Sequence, residues 1–526
     1  MDTKALRQKI LDLAIRGQLV PQDPNDEPAS VLLDRIRAEK QKMVKEGKLK
    51  AKDIKNDSVI FVGEDNLHYE KFADGSVKCI ENEIPFDLPE GWAWSRIKNI
   101  ASIGTGATPL KSNTEYYVGG KISWITSAAT CDNIIKSATD YITELAVQET
   151  NCQIYPVGTL VVAMYGEGKT RGQISELGIA ACTNQACAAI QVWGGNAGVS
   201  QLVKMFFSYN YENIRMKAKG GQQPNLNQSI IAETLIPIPP ENEIMRLLDF
   251  SHICLNGIQV ITENKERIFQ LSNQARTKIL DLAIRGKLVP QDPKDEPASV
   301  LLERIRAEKE ELIRQGKIKR DKKESIIFRG EDNSYYLRTG NLEESLNAWQ
   351  FDDLPETWEI CCLGDVCDYG DCINVDTADI EEDAWILDLE DIEKDTGTVL
   401  KKVTKAQRSS VSTKHRFYSG QVLYSKLRPY LNKVVLSDAD GYCTSEIIPL
   451  KFDRCVLPEY ARYYLMSPTF LAYADRCSYG VKMPRMGTAD GKKAIIPLPP
   501  LVEQKRIAKT IELLFSQLTR ISEALV

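Results

Sequence analysis

Six apolar residues near the end of the chain, Ile507, Ile511, Leu514, Leu518, Ile521 and Leu525, fall at spacings of 4, 3, 4, 3 and 4. That alternation is the seam of an α-helix that meets another helix. Leu247, Cys254, Ile258, Ile261, Ile268, Leu271, Ala275, Ile279 and Leu282 repeat the rhythm less regularly, interrupted by Ser251 and Lys265. They predict a helix from Glu241 to Arg285, which would span about 65 Å at the helical rise per residue. Before each seam the pattern changes to short β-branched runs, such as Gly158–Val162 and Gly420–Tyr424, which predict strands. The segments Ile236-Pro237-Ile238-Pro239-Pro240 and Ile496-Pro497-Leu498-Pro499-Pro500 close those regions, because proline ends one element and favours the start of a helix.

The chain contains itself twice. Residues 9–40 return as 278–309 with differences only at Gln18/Lys287, Asn25/Lys294 and Asp34/Glu303. The match continues through Ile60–Asn66 and Ile327–Asn333 to Asp87–Trp92 and Asp353–Trp358, and Glu243 and Arg246 fall opposite Glu503 and Arg506. Between each Trp and its proline cluster the framework repeats, but few side chains match. In this register Val526 aligns with Glu266 and Met1 with Gln270, so only Arg267, Ile268 and Phe269 lack a counterpart. The expectation is a closed pseudo-two-fold arrangement in which the first helix, with Leu6, Ile10 and Leu13, continues the last.

Composition narrows the class. At 526 residues the chain needs several cores, and 43% hydrophobic with 27% charged residues is ordinary for a soluble globular protein. There is no long apolar run and no apolar core behind Met1-Asp2-Thr3-Lys4, which suggests a cytoplasmic protein without a membrane partner. The 13 cysteines show no disulfide spacing, and Cys361, Cys362, Cys367 and Cys372 are poorly spaced for a zinc site. The formal net charge is −6, yet residues 401–500 hold 17 Lys plus Arg against 7 Asp plus Glu, a local footprint suited to nucleic acid.

Two divergent domains, each closed by an Ile-Pro-x-Pro-Pro segment and introduced by an LDLAIRGxLVPQDPxDEPASVLL segment, resemble the specificity subunit of type I restriction-modification enzymes. The resemblance implies an α+β fold: two mixed α/β target-recognition domains separated by a pair of long antiparallel coiled-coil helices in a pseudo-two-fold circular arrangement. It divides the chain into a half-helix, repeat and charged arm (1–85), recognition domain 1 (86–240), a central helix (241–286), the second repeat and arm (287–352), recognition domain 2 (353–500) and a distal helix (501–526). It further implies that each domain reads one half of a bipartite, asymmetric site on double-stranded DNA. The helices set the gap and bind two methyltransferase subunits, and two restriction translocase subunits can join. No cofactor is expected in this chain; S-adenosylmethionine, ATP and Mg belong to the partners. The arms Gln41–Glu83 and Glu310–Asn347 depart from the simplest members, and their sequence suits either a docking surface or a flexible cover.

Side-chain chemistry suggests where DNA would be read, since amides suit adenine and Arg or Lys suits guanine. In the first domain the candidates are Thr105, Thr108 and Lys111; Tyr165, Lys169, Thr170 and Arg171; Asn184 and Gln185; and Gln222, Gln223 and Asn225. In the second they are Lys426, Arg428, Tyr430, Asn432 and Lys433; Thr444, Ser445 and Glu446; and Lys482, Arg485 and Met486. Two other functions compete. One is a coiled-coil scaffold that binds only protein, which gains nothing from domains with a common framework and unlike loops. The other is a nucleotide-binding enzyme using Gly168-Lys169-Thr170, but the residues after that segment are strand-like, whereas a phosphate loop must open a helix. The three histidines are scattered, and no catalytic constellation accompanies them. The acidic run from Glu381 to Asp395 lacks supporting metal ligands and suits a solvated surface or a partner contact.

Overall fold

The computed structural model describes residues 2–51, 54–166, 169–217, 225–316, 325–331, 334–339, 341–349, 351, 353–408 and 412–525. It is mixed α/β and divides into two compact units, Met1–Asn264 and Lys265–Val526, with the boundary inside one long helix, Glu241–Ile284.

In the first unit a helix Thr3–Ile15, capped by the Asp2 carboxylate on the Lys4 and Ala5 amides, leads into the LVPQDP loop. A helix Ala29–Lys45 follows, buries Ala29, Leu32 and Ile36, and joins the main core of the unit. The segment then folds into a three-stranded antiparallel meander, Ser58–Val62, His68–Phe72 and Val77–Cys79. The recognition domain opens with Ala93–Arg96, which pairs with the proline-bearing strand Leu235–Ile238. Between them lie a five-stranded sheet in the order 101–105, 187–192, 160–163, 174–177 and 134–135, and a small sheet centred on Ile122–Ile125. The helix Ala197–Tyr209 covers the five-stranded sheet with Val199, Leu202, Val203 and Phe206.

The second unit repeats the plan. Ala298–Arg314 is its repeat helix, Ser325–Arg329, Tyr335–Thr339 and Leu342–Ser345 form its meander, and Glu359–Cys362 pairs with Ile495–Leu498. The predicted distal helix is Leu501–Ala524, whose seam splits in role: Ile507 and Ile511 are buried in the unit's own core, whereas Ile521 is exposed. The later part of the long helix runs antiparallel to it. Arg276 lies over the Phe515 ring and donates to the Thr519 hydroxyl at 2.6 Å, while further along the chain Asp295 meets Arg506 at 2.5 Å.

The near-identical repeat has a packing reason, visible in both units. Gly17 and Gly286 end their helices at φ +66° and +67°, and a Cβ at either would run into a Pro–Trp pair, Pro89 with Trp92 or Pro355 with Trp358. The Trp92 indole donates to Glu243 and the Trp358 indole to Glu503, each at 3.0 Å. Asp26 pairs with Arg246 at 2.6 Å, as Asp295 does with Arg506. The LVPQDP loop thus clasps the base of each recognition domain to the helix that leaves it. Burial holds both Glu243 and Glu503 above the usual carboxylate range, against the indole hydrogen bonds that lower them.

The described residues of the first arm pack within their own unit. Ser58–Val62 lies against Ala93–Arg96, and Lys40, 2% exposed, reaches Asp57 at 2.6 Å. Beneath the first meander Arg96 Nε donates to both Glu70 oxygens at 3.0 Å, and its Nη2 donates to Glu70 at 2.7 Å and Glu83 at 2.8 Å. Burial raises the Glu70 pKa, but Arg96 and the Ser58 hydroxyl outweigh it and hold this carboxyl below its ordinary value.

Candidate nucleic-acid interface

In each recognition domain three loops, distant in sequence, are joined at one edge by the same pair of backbone hydrogen bonds. In the first, the Met164 amide donates to the Ala186 carbonyl at 2.8 Å and the Leu226 amide to the Met164 carbonyl at 3.1 Å. In the second, the Lys426 amide donates to the Glu446 carbonyl and the Met486 amide to the Lys426 carbonyl, both at 3.0 Å. This clamp equates Met164 with Lys426, Ala186 with Glu446 and Leu226 with Met486. Asn184 and Gln185 then stand where Thr444 and Ser445 do, and Asn225 where Arg485 does. The backbone frame is common and the side chains on it are unlike.

Around the first clamp the Thr108 hydroxyl donates to the Gln185 side-chain oxygen at 2.5 Å, which leaves the exposed amide nitrogen able to donate outward. Asn184 turns its oxygen onto the Ala186 amide at 3.1 Å and shapes the turn. Thr105 hydrogen-bonds the Cys187 carbonyl at 2.9 Å, which ties the opening strand to its neighbour. Tyr165 is partly exposed beside Met164, and Asn225 is half-buried. The structure therefore brings Thr105, Thr108, Tyr165, Asn184, Gln185 and Asn225 together.

Lys169, Thr170 and Arg171 are held by a different element. Their loop packs on the helix Tyr211–Met216, where the Tyr211 hydroxyl donates to the Lys169 carbonyl and Arg215 to the Arg171 carbonyl. Lys169 is exposed at the mouth of an open cavity of about 800 Å³ that also touches Arg7, Asn133 and Arg215. The described residues that follow enter the strand Ile174–Leu177, not a helix, so the loop lacks the geometry of a phosphate loop. Lys111 is exposed in the turn after Leu110, and Gln222 and Gln223 lie outside the described residues.

In the second domain Arg485 Nε donates to both Glu446 oxygens at 3.1 Å and its Nη2 to Oε1 at 2.9 Å. Ser445 and Lys482 are exposed, and Thr444 and Lys426 are half-buried. Arg428 and Asn432 both adopt left-handed backbone, φ 51° and 50°, around a short turn whose tip presents Tyr430, 50% exposed. Three candidates spend their side chains inside the fold instead. Asn432 is buried and donates to the Met466 carbonyl at 3.3 Å, and the Lys433 ammonium reaches the Leu389 carbonyl at 2.6 Å with its pKa lowered by burial. Met486 is buried and accepts from the Tyr424 hydroxyl at 3.5 Å. These three hold the loops in place.

The remaining chemistry is structural. Asp391 is fully buried, and both it and Asp388 pair with Arg408, at 2.8 and 2.5 Å, so part of the acidic run is neutralised within its own unit. Cys361, Cys362 and Cys367 are buried, no disulfide joins any cysteine, and no His, Cys, Asp and Glu cluster among the described residues is arranged to hold a metal. Among the described residues no helix is long and apolar enough to cross a membrane.

The chain thus holds two copies of one frame that carry unlike loop chemistry. The family model for the type I restriction modification DNA specificity domain matches the chain twice, over residues 89–268 and 355–525, and the chain belongs to that family. Among curated proteins it is 28% identical over 424 residues to the type I restriction enzyme EcoAI specificity subunit of Escherichia coli, covering 70% of this chain and 62% of that one. It is 27% identical over 410 residues to the EcoEI specificity subunit of Escherichia coli, covering 69% and 61%. The matches thus span about three fifths of those relatives. A solved chain from work on complex assembly and conformational transition of the type I R-M system shares the fold, with a TM-score of 0.50 at 15% identity, covering 84% of this chain and 94% of that one.

Proposed function

We propose that this chain is the DNA-recognition subunit of a type I restriction-modification complex and is itself non-catalytic. Recognition domain 1 (86–240) and recognition domain 2 (353–500) each read one half of a bipartite, asymmetric site. The observation that carries this reading is the shared backbone clamp with unlike residues on it, because unlike reading edges suit unlike half-sites. The long helices 241–286 and 501–526 set the gap and bind two methyltransferase subunits, and restriction translocase subunits join them. The assembled enzyme methylates adenine N6 and, with the translocase, cleaves DNA at the expense of ATP. S-adenosylmethionine, ATP and Mg are held by the partners.

Base contacts fall to the outward groups at the two edges, namely Thr108, Gln185 and Asn225 in one and Lys426, Ser445, Lys482 and Arg485 in the other. Lys111, Lys169, Arg171, Arg428 and Tyr430 supply phosphate or flanking contacts. The test is methylation mapping in cells that carry this chain with its cognate methyltransferase. A gapped motif with two different halves is expected. A methylated motif that is continuous or palindromic would overturn the two-domain reading, and a complex that selects no sequence would overturn DNA recognition altogether.

A further inference from the structure

We infer that Arg485 reads a guanine in the half-site of the second domain and that Glu446 is the positioning residue that aims it. The inference rests on the proposed DNA-recognition function and goes beyond it by assigning a base to a side chain.

The clamp fixes both residues by backbone. Glu446 gives its carbonyl to Lys426, Met486 takes its place through the Lys426 carbonyl, and Arg485 forms an antiparallel bridge with Leu427. The Arg485 side chain leaves this frame partly exposed, 38%, and Glu446 beside it is 23% exposed. The carboxylate engages Nε and one hydrogen of Nη2. A guanidinium has five N–H donors in one plane, so the outer edge keeps both hydrogens of Nη1 and one of Nη2. One hydrogen on each Nη forms a second fork, in the same plane but turned about 120° from the first, with the spacing of the guanine O6 and N7 acceptors. A carboxylate on one edge of an arginine restricts rotation about its last torsions, so the outer fork is held in one plane before DNA arrives. The outer fork carries only donors, which match the guanine O6 and N7 acceptors and not the cytosine N4 donor.

The first domain acts as the internal contrast. Its clamp puts Asn225 where Arg485 stands and Ala186 where Glu446 stands. An amide needs no carboxylate to aim it and suits adenine. The buttress is present only in the domain that has an arginine to hold.

The experiment uses the full chain assembled with its cognate methyltransferase and duplexes containing the mapped site. Each guanine of the two half-sites is replaced in turn by 7-deazaguanine, which removes N7 and leaves the Watson–Crick edge intact. One guanine, in one half-site only, is expected to show about a 5- to 150-fold loss of affinity. Arg485→Ala is expected to abolish that sensitivity at that position and nowhere else. Glu446→Gln keeps the shape without the charge and is expected to keep affinity for unselective DNA while lowering discrimination at that one base; Glu446→Ala should lower it further. If no guanine shows an N7 effect that disappears in Arg485→Ala, the assignment is wrong while DNA recognition stands. If Arg485→Ala weakens every duplex equally, Arg485 is a phosphate contact and the assignment is again wrong. If Glu446→Ala leaves discrimination unchanged, Glu446 is not a positioning residue. A wild-type complex that selects no site overturns this inference together with the function on which it rests.

Discussion

The same meander is fastened to its recognition domain by charge in one unit and by apolar packing in the other. The turn bonds that close each sheet, Ile80 to the His68 carbonyl and Leu346 to the Tyr335 carbonyl, equate Glu70 with Leu337 and Glu83 with Trp349, and the pairing of each opening strand with its proline-bearing strand equates Arg96 with Cys362. Arg96 and Glu70 are a buried ion pair, with side chains 6% and 2% exposed. Leu337, Trp349 and Cys362 are all buried in the core of the second unit, where Trp349 packs on Tyr473 at 4.5 Å. A buried ion pair loses hydration that its attraction scarcely repays, so well-packed apolar groups of similar volume do as well or better. What both units need is that the sheet stays docked; neither needs a given chemistry to do it. The LVPQDP clasp is the opposite case. It is nearly identical in both copies, and its glycine and its aspartate, Gly17 with Asp26 and Gly286 with Asp295, meet the same kinds of partner in each.

The largest expected effect breaks the charged version. Arg96→Ala leaves the Glu70 carboxylate buried without its cation, and a loss of about 3–5 kcal/mol is expected, measured as denaturant-dependent hydrogen exchange of residues 58–62. Writing the second unit's residues into the first, as Arg96→Cys with Glu70→Leu and Glu83→Trp, should recover most of that loss. A triple variant as weak as Arg96→Ala would show that the two arrangements are not interchangeable.

Gly17→Ala and Gly286→Ala attack what the units share. Each forces a non-glycine residue into left-handed backbone against a Pro–Trp pair, at a cost of about 1–3 kcal/mol. Similar losses are expected in the thermal unfolding of both variants, since the clasp is the same. A large loss in one and none in the other would refute the equivalence.

Acid should separate the units again. The Glu70 pKa is lowered in the folded chain, so its contribution is complete above the ordinary carboxylate range and is lost as pH falls through the lowered value. Leu337 makes no such contribution in the second meander. Proteolysis at falling pH should therefore release residues 58–79 before 325–345; simultaneous release would mean that the ion pair contributes nothing.

The smallest effects concern the two buried glutamates. Both pKa values are raised by burial, so each carboxylate carries a cost that appears as pH rises through its raised value. Glu503 is offset by Gln291, which donates to its second oxygen at 2.6 Å, whereas Glu243 Oε1 is buried without a hydrogen-bond partner. At neutral pH, Glu243→Gln should be neutral or stabilising by about 0.5 kcal/mol and Glu503→Gln destabilising by about 0.5–1 kcal/mol. Melting temperatures of the two variants that move together would contradict this difference.

What the sequence made legible follows from what repeats. The duplicated segment located both units, both opening tryptophans and both closing prolines, and the heptad spacing located both long helices. The loops joined by the clamp were legible only in part. Lys169 to Arg171 sit in the loop after a strand as expected, yet Tyr211 and Arg215 hold their carbonyls, not the clamp. Asn432 and Met486 have the right chemistry for a DNA contact, but left-handed backbone at one and core packing at the other turn them inward. Arg96 gave no signal, because its partners Glu70 and Glu83 lie in another segment and the other unit has a cysteine there. The clamp itself is made of backbone groups, which a list of side chains does not reveal.

Each edge is proposed to read its own half of the DNA independently. The direct measurement is selection of preferred duplexes by the assembled complex, carried out in parallel for the wild-type chain and for Gln185→Ala with Asn225→Ala. One half-site is expected to lose discrimination, by about 1–3 kcal/mol for each base contact removed, while the other half-site and the gap are unchanged. An equal loss of selectivity in both halves would contradict it.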